Sequence, residues 1–490
     1  MISPKQIAFL VGELALVALV VGPSALLVAV PALWISRQYG ARGARFLLGG
    51  AVVLIGLAAI ISATTSTRLD AVYSDRRAAA ADLGGLAVAL VMVSIAELAR
   101  LERSNTRATR PPGPLADDSP IADDGPLRVV ILTWRDLAHP QAGGSEVLLD
   151  RIARGLTEQG HDVTMVCGGP VAPRPYRVLE SGGRYTQYLR APFVARRAVA
   201  RADVVVDVEN GIPFFAPLWT RTPTVCLVHH IHREQWGQHF PRPVAALGWS
   251  LERFGLRYAH RRSPFFTISD SSAQGLESLG IARERIRVAR MGTEVPEITS
   301  PESETPLFVV LSRLVPHKRV ELILEAWREV EPHTGGRLVI IGDGPERQRL
   351  VDDAPPGVEF LGFVDEVTKH ELLSKAWIFL HAAHHEGWGI VIIEAGARQT
   401  PAIALDAPGV RDAIVHGVTG LLVNDVTELS EAWRALAADE SHRRRLGLAA
   451  RERARTLSWD ETVETMRTTI ESVRAEPNAR FSSVRRYARG

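Results

Sequence analysis

The stretch Glu386-Gly387-Trp388-Gly389-Ile390-Val391-Ile392-Ile393-Glu394 sets two carboxylates eight residues apart around the glycine-rich start of an apolar helix. Glycines at a helix start expose backbone N–H groups, which together with the helix dipole favour an anion. Glu394 falls about two turns into the expected helix Ile390–Arg398, with its side chain leaning back toward the helix start. Carboxylates so placed accept hydrogen bonds from sugar and ribose hydroxyls. Without its surroundings the same pattern is a capped helix with one surface Glu. The flanks add the next layer: Ile378–His381 before it and Ala402–Ala404 after it are short apolar runs, so the stretch is the middle of a strand–helix–strand unit.

Further units precede it. Strands are expected at Leu307–Leu311, Leu338–Ile341 and Val358–Leu361, and helices at Val320–Val330, Glu346–Asp352 and Glu366–Ala376. A separate series begins earlier, with apolar runs Leu127–Leu132, Val163–Val166, Val204–Val206 and Val225–Val228 and helical spacing over Ser145–Gln159. Short buried-type strands alternating with helices predict parallel βαβ units, hence an α/β fold of two doubly wound, Rossmann-like domains. Two such domains face each other across a cleft at the carboxyl ends of their strands.

The rest of the 490 residues has a different character. Leu14–Ile35 is an uncharged run of 22 residues, Phe46–Ala63 one of 18, and Ala78–Ala96 is a third, interrupted by Asp82. About 20 apolar residues span a bilayer, so three transmembrane helices are expected near 14–35, 46–63 and 78–98, within a membrane region 1–104. Arg37, Arg42 and Arg45 follow the first span, and Arg100, Arg103, Arg107 and Arg110 follow the third. Three spans put both basic segments on the cytoplasmic side, with the body there too, in a multi-pass cytoplasmic-membrane protein. The Pro- and Gly-rich segment 105–126 reads as a linker. The expected order is then a first domain over 127–300, a second over 301–456, a returning helix over 457–475 and a basic tail over 476–490.

Composition excludes other classes. Lys and Arg total 57 against 55 Asp and Glu, a net charge of +2, which gives nucleic acid no general hold. Hydrophobic residues make up 46%, enough for a core and too many for a disordered chain. Cys167 and Cys226 stand far apart, without CxxC spacing, and read as buried apolar residues.

Other candidate residues sit where strands end. Gly143 and Gly144 follow the first strand and open a helix, a turn or an anion loop. Arg313 and Lys318 follow Leu307–Leu311; two cations at a strand end can neutralise a diphosphate, or form a solvated basic loop. Ile341-Gly342-Asp343-Gly344-Pro345 is a strand-to-helix turn that lets a ligand approach closely. His229-His230-Ile231-His232 follows Val225–Val228 and offers a cleft histidine or, less well, an HxH metal site. No matching carboxylate or Cys set is visible for a metal, and no Asp-x-Asp occurs in the chain.

Together, in this order, these segments resemble the family 4, or group 1, retaining glycosyltransferases of the GT-B fold, over roughly Leu127 to Met466. Thr267-Ile268-Ser269, Met291-Gly292-Thr293-Glu294 and Leu457-Ser458-Trp459 also fall where that family has its motifs. The resemblance implies that Arg313 and Lys318 bind the donor diphosphate. It implies that Glu386 and the amides of Trp388 and Gly389 meet the donor sugar, that Ile390 belongs to the donor site, and that Glu394 holds the ribose hydroxyls. Gly143, Gly144 and Gly342 would shape the donor site, Phe363 and Val364 would meet the base, and His229, or His230 if the register slips, would touch the sugar. The implied activity is transfer of a hexose-type sugar, with retention, from a nucleotide-diphosphate sugar to a lipid-linked or cell-envelope glycan acceptor. No cofactor and no metal are implied. His381-Ala382-Ala383-His384-His385 replaces the family's usual Pro-Ser before the first Glu, and Trp388 replaces its Phe, which leaves the donor sugar open. A GT-B epimerase, a phosphorylase and a non-catalytic sugar-nucleotide-binding module are the competing classes. The sequence leaves the oligomeric state open.

Overall fold

The computed structural model describes residues 125–183, 186–297 and 301–487. The three expected spans and nearly all of the linker lie outside the described residues. Among the described residues no helix is long and apolar enough to cross a membrane.

The first domain is a seven-stranded sheet of β1 (Arg128–Arg135), β2 (Asp162–Gly168), β3 (Arg177–Glu180), β4 (Val204–Glu209), β5 (Thr224–Val228), β6 (Phe265–Thr267) and β7 (Ile286–Val288). Its order is β3-β2-β1-β4-β5-β6-β7, with every neighbouring pair parallel. The second has six parallel strands: β8 (Leu307–Leu311), β9 (Arg337–Ile341), β10 (Val358–Gly362), β11 (Ile378–His381), β12 (Ala402–Leu405) and β13 (Gly420–Val423). Their order is β10-β9-β8-β11-β12-β13. In both sheets the winding reverses once, between β1 and β4 and between β8 and β11. A doubly wound sheet opens a crevice at that reversal, at the carboxyl ends of the strands.

The strands form where apolar residues are consecutive, because helices cover both faces of a parallel sheet. Residues Val204 to Glu209 of β4 are all buried, as are Thr224 to Val228 of β5. In the second domain, Trp327 and Trp433 stack at 5.4 Å, and Phe308 meets both rings edge-on. Burying these large rings contributes heavily to that core. Both cysteines are buried and free; burial pushes the Cys167 thiol up to about 12.

Several expected boundaries shift: the Val204–Val206 strand runs on to Glu209 and the Val320–Val330 helix to Thr334, for example, and two shifts bear on the site and the crossing. The helix at Ile390 ends at Gly396 rather than Arg398, since Gln399 takes a left-handed φ of 66°. The helix starts at Ile390 as expected, and Glu394, four residues on, is little more than one turn from that start rather than about two. The returning helix and the basic tail are one element, Trp459–Tyr487. It crosses back onto the first domain, burying Val463, Met466 and Ile470 in that domain's core. Gly155 makes the crossing close: a Cβ there would lie 2.6 Å from Val463 Cγ2. Gly292 does the same on the connecting chain, where a Cβ would lie 2.2 Å from the Trp459 nitrogen.

Candidate active site

The site is built from loops at the two reversals. After β8 the chain passes through Arg313 to a short turn, Pro316–Lys318. That turn is tied to the loop after β11: His384 N donates to His317 O at 2.9 Å, and Arg319 Nε donates to Ala382 O at 2.8 Å. The tie lets Lys318 Nζ donate to Glu386 Oε1. His381, the last residue of β11 and 2% exposed, places Nε2 3.0 Å from the same oxygen. Burial alone would raise the Glu386 carboxyl. Lys318 and His381 outweigh it and hold the group well below the usual carboxylate range.

The Arg313 carbonyl accepts from Ser312 Oγ and Val315 N, but its guanidinium has no ion-pair or hydrogen-bond partner among the described residues. Desolvation and the nearby Arg135 guanidinium lower its pKa from a very high starting value, while Glu146 and Glu386 oppose them. It stays a cation. Arg135 and Glu146 belong to the first domain, so the loops of both domains converge here. Arg135 Nε donates to Glu146 Oε1 at 3.0 Å. Glu146 Oε2 accepts from Gly143 N at 2.7 Å and Ser145 Oγ at 2.8 Å, which fixes the Gly143-Gly144 loop. A Cβ on Gly144 would lie 3.2 Å from Ile390 Cγ2. The glycine loop of one domain thus meets the first residue of the Glu394 helix of the other.

The Gly342 turn interlocks with the Arg313 loop. Leu314 N donates to Asp343 O, Ser312 N to Ile341 O, and Gly342 N to Gly362 O beside Phe363 and Val364. Gly342 has φ 125°, and a Cβ would lie 2.0 Å from Ser312 O, so the glycine is required by backbone contact. Phe363 is exposed, 70%, at the end of β10. Gly389 begins the Ile390 helix with φ 76°. The Trp388 side chain is buried in the core. Glu394 is held by Lys369 Nζ at 3.1 Å.

His229 is buried, and its ring lies in the field of Glu146. Burial outweighs Glu146 and lowers it to about 4, so it is neutral at neutral pH. Its carbonyl accepts from Ser272 Oγ at 2.7 Å and backs onto Gly387, whose Cβ would lie 3.2 Å away. The His230 ring instead lies tilted between those of His232, at 4.1 Å, and His385 of the second domain, at 4.8 Å. Asp412 joins the domains on the other flank, accepting from Asp270 N at 3.0 Å and Ser271 N at 3.2 Å.

The structure therefore gathers Arg313, Lys318, Glu386, Gly143, Gly144 and Ile390 at one crevice, with the Gly342 turn behind Arg313. Sequence reasoning did not single out Arg135, Glu146, Lys369 or Asp412, and it noted His381 only as part of a cluster. Glu146 had one readable signal: three residues after Gly143 at a helix start, it sits where a capping-box acid does.

Two Rossmann-like sheets with this crevice between them define the GT-B class. The fold matches that of Anabaena Alr3699/HepE, solved with UDP and glucose, at a TM-score of 0.55 and 19% identity, over 73% of this chain and all of that one. Residues 142–295 match the model for Glycosyltransferase Family 4, and 293–453 match that for Glycosyl transferases group 1. The two matches adjoin and together run from 142 to 453, and with the fold they support a group 1 glycosyltransferase of the GT-B fold. Among its relatives, N-acetyl-alpha-D-glucosaminyl L-malate synthase of Bacillus anthracis is 23% identical over 64% of this chain and 90% of its own length. A GDP-mannose-dependent alpha-mannosyltransferase of Mycobacterium tuberculosis is 35% identical over 47% of this chain and 61% of its own. Other curated relatives are spanned over as little as 24% of their length.

Proposed function

We propose that this protein transfers a hexose-type sugar, with retention, from a nucleotide-diphosphate sugar to a lipid-linked or cell-envelope glycan acceptor. The observation that carries the reading is the unpaired Arg313 cation beside the Lys318–Glu386–His381 cluster, at the reversal of the second sheet. An anionic diphosphate fits there against Arg313 and Lys318, with the amides of Gly389 and Ile390 at the helix start. Glu386, kept ionised, accepts from donor sugar hydroxyls, and Glu394, steadied by Lys369, accepts from the ribose. Phe363 and Val364 meet the base, and the two-domain crevice keeps water from the donor.

In the reaction, the bond between the anomeric carbon and the β-phosphate oxygen breaks. The acceptor oxygen bonds to that carbon on the same face, and its proton passes to the departing phosphate oxygen. Charge developing on the diphosphate is met by Arg313 and Lys318, electrostatic stabilisation that acts only as the bond breaks. No divalent cation is needed in this scheme, in keeping with the lack of Asp-x-Asp. The apolar runs before residue 104 and their basic flanks support a multi-pass anchor in the cytoplasmic membrane, with the body on the cytoplasmic side.

The test is a panel of nucleotide sugars, with nucleoside diphosphate release measured with and without acceptor. Release stimulated by an acceptor supports transfer. Release of free nucleotide and sugar alone, or full activity in Arg313→Ala, sinks it.

A further inference from the structure

Behind the crevice, in the first domain, three ligating side chains converge from separate elements. Glu209 is the last residue of β4, paired in register with Val228 of β5. His232 stands four residues beyond Val228, and Glu252 comes from the helix Arg242–Phe254. His232 Nδ1 is 3.5 Å from Glu209 Oε1 and 3.6 Å from Glu252 Oε1. One ligand atom from each residue lies within 4.8 Å of the others.

Glu209 is 0% exposed, and neither of its oxygens has a hydrogen-bond partner among the described residues. The Gly211 amide is near enough to favour its charge, but not in bonding geometry. His232 Nδ1 is likewise buried without a hydrogen bond. A buried carboxylate with two orphan oxygens is costly, and this one faces a second carboxylate rather than an Arg or Lys. Glu252, by contrast, is oriented from outside: Oε1 accepts from His232 N and Oε2 from Trp236 Nε1, both at 2.7 Å. Ligands of a metal centre are characteristically fixed by such outer bonds. Gly211, with φ 89°, leaves room for the group, since a Cβ would lie 3.2 Å from the Trp236 ring and 3.9 Å from His232 Cγ.

We propose that Glu209, His232 and Glu252 bind a single divalent cation of zinc type. The donor set selects the ion: one imidazole nitrogen with two carboxylates is a zinc-type set, whereas magnesium and calcium take oxygen ligands. Two carboxylates and one neutral imidazole cancel the ion's charge, and water completes the fourth position. Any proton that burial and Glu252 keep on Glu209 leaves when the ion binds. The histidine run carried an HxH without visible carboxylates; the fold supplies them from 23 residues upstream of His232 and 20 downstream. The ion pins the His229–His232 segment, whose His229 carbonyl backs Gly387 and whose His230 ring meets that of His385. It takes no part in sugar transfer, and it binds whether or not the chain has that activity.

The experiment strips the full-length chain with a chelator and titrates it with Zn²⁺ alone by calorimetry, with unfolding temperature as second readout. One equivalent should bind and raise the unfolding temperature. Glu209→Gln and His232→Gln should each lose that equivalent, and Co²⁺ should give a tetrahedral visible spectrum that His232→Gln abolishes. Absence of saturable binding to the stripped wild type overturns the proposal. So does an unchanged equivalent in both variants, which would put the ion on another group, such as His381, His384 and His385. Should Glu209→Gln fail to fold, His232→Gln and the Co²⁺ spectrum of the wild type decide the matter.

Discussion

Lys318 and Glu386, 68 residues apart, form an ion pair that joins the loop after β8 to the loop after β11. Those strands flank the point where the second sheet reverses its winding, so the pair bridges the crevice that such a reversal opens. The bond spends Lys318's charge on Glu386, while the Arg313 guanidinium has no partner among the described residues. On the proposed function, a donor diphosphate arriving there would gain Arg313 outright and share Lys318.

The first prediction follows from that division. Arg313→Ala should lower kcat about 10²–10³-fold, the usual cost of removing one group that stabilises charge in the transition state. Lys318→Ala should cost at least as much, because it also leaves Glu386 with only His381 to hold it. Steady-state kinetics with the donor found in the panel measures both. The control is Arg328→Ala, which removes a cation from an exposed ion pair with Asp353, away from the crevice, and should leave kcat unchanged.

The second prediction concerns acid. An unfolded imidazole titrates near 6.5, whereas burial lowers His229 and His385 each to about 4. Between those values the unfolded chain binds more protons than the folded one, so stability falls as pH drops from about 6.5 toward 4. Glu386 works in a lower window. Its carboxyl is held well below the usual range, so its contribution is present above the ordinary carboxylate pKa and is lost as pH falls through the depressed value. Denaturant midpoints measured across pH should show a shallower slope between about 6.5 and 4 in His229→Asn. An unaltered slope would mean that the His229 ring is solvated.

Gly409 gives the third. It has φ 80°, and a Cβ would lie 2.0 Å from Glu386 O, whose own N–H donates to Pro408 O at 3.0 Å. Gly409→Ala must displace the Glu386 backbone, and misplacing a reacting group by about 1 Å can cost about 10²-fold in rate. Gly417, φ 73°, has open space around it, so Gly417→Ala should cost about 1–2 kcal/mol of stability with no change in kcat. Comparing kcat and unfolding temperature in the two variants separates site geometry from backbone strain.

The parts of this arrangement legible in the sequence are those with a local cause. β8 and β11 are unbroken apolar runs closed by polar residues, and both were read to the residue. β3 was missed because an edge strand reading Arg-Val-Leu-Glu is half exposed and has no apolar run. β6 and β7 are three residues each, too short for a periodicity. At the site, Arg313, Lys318 and Glu386 stood out at strand ends and glycine turns. Arg135 and Lys369 did not, because each matters only through a partner brought near by folding: Glu146 for one, Glu394 for the other. The Glu209–His232–Glu252 group has the same cause, three elements meeting only in the folded domain.

The final prediction tests how the second domain is fastened to the first. Met466, 0% exposed, sits on the helix Trp459–Tyr487 with Val463 and Ile470, in the core that includes Leu148, Ile152 and Leu156 of the helix Gly144–Glu158. That helix carries the glycine loop at its start, so the returning helix supports the crevice from behind. Met466→Ala should cost about 2–5 kcal/mol, the range for emptying a buried site of that size. Leu448→Ala, 52% exposed on the neighbouring helix, should cost about 0.5 kcal/mol or less. Urea unfolding of both variants measures the difference. Because the lost contacts belong to the first domain, unfolding followed by Trp134 or Trp219 fluorescence should shift in Met466→Ala. A shift confined to the second domain's Trp327 and Trp433 would show that the returning helix is not part of the first core.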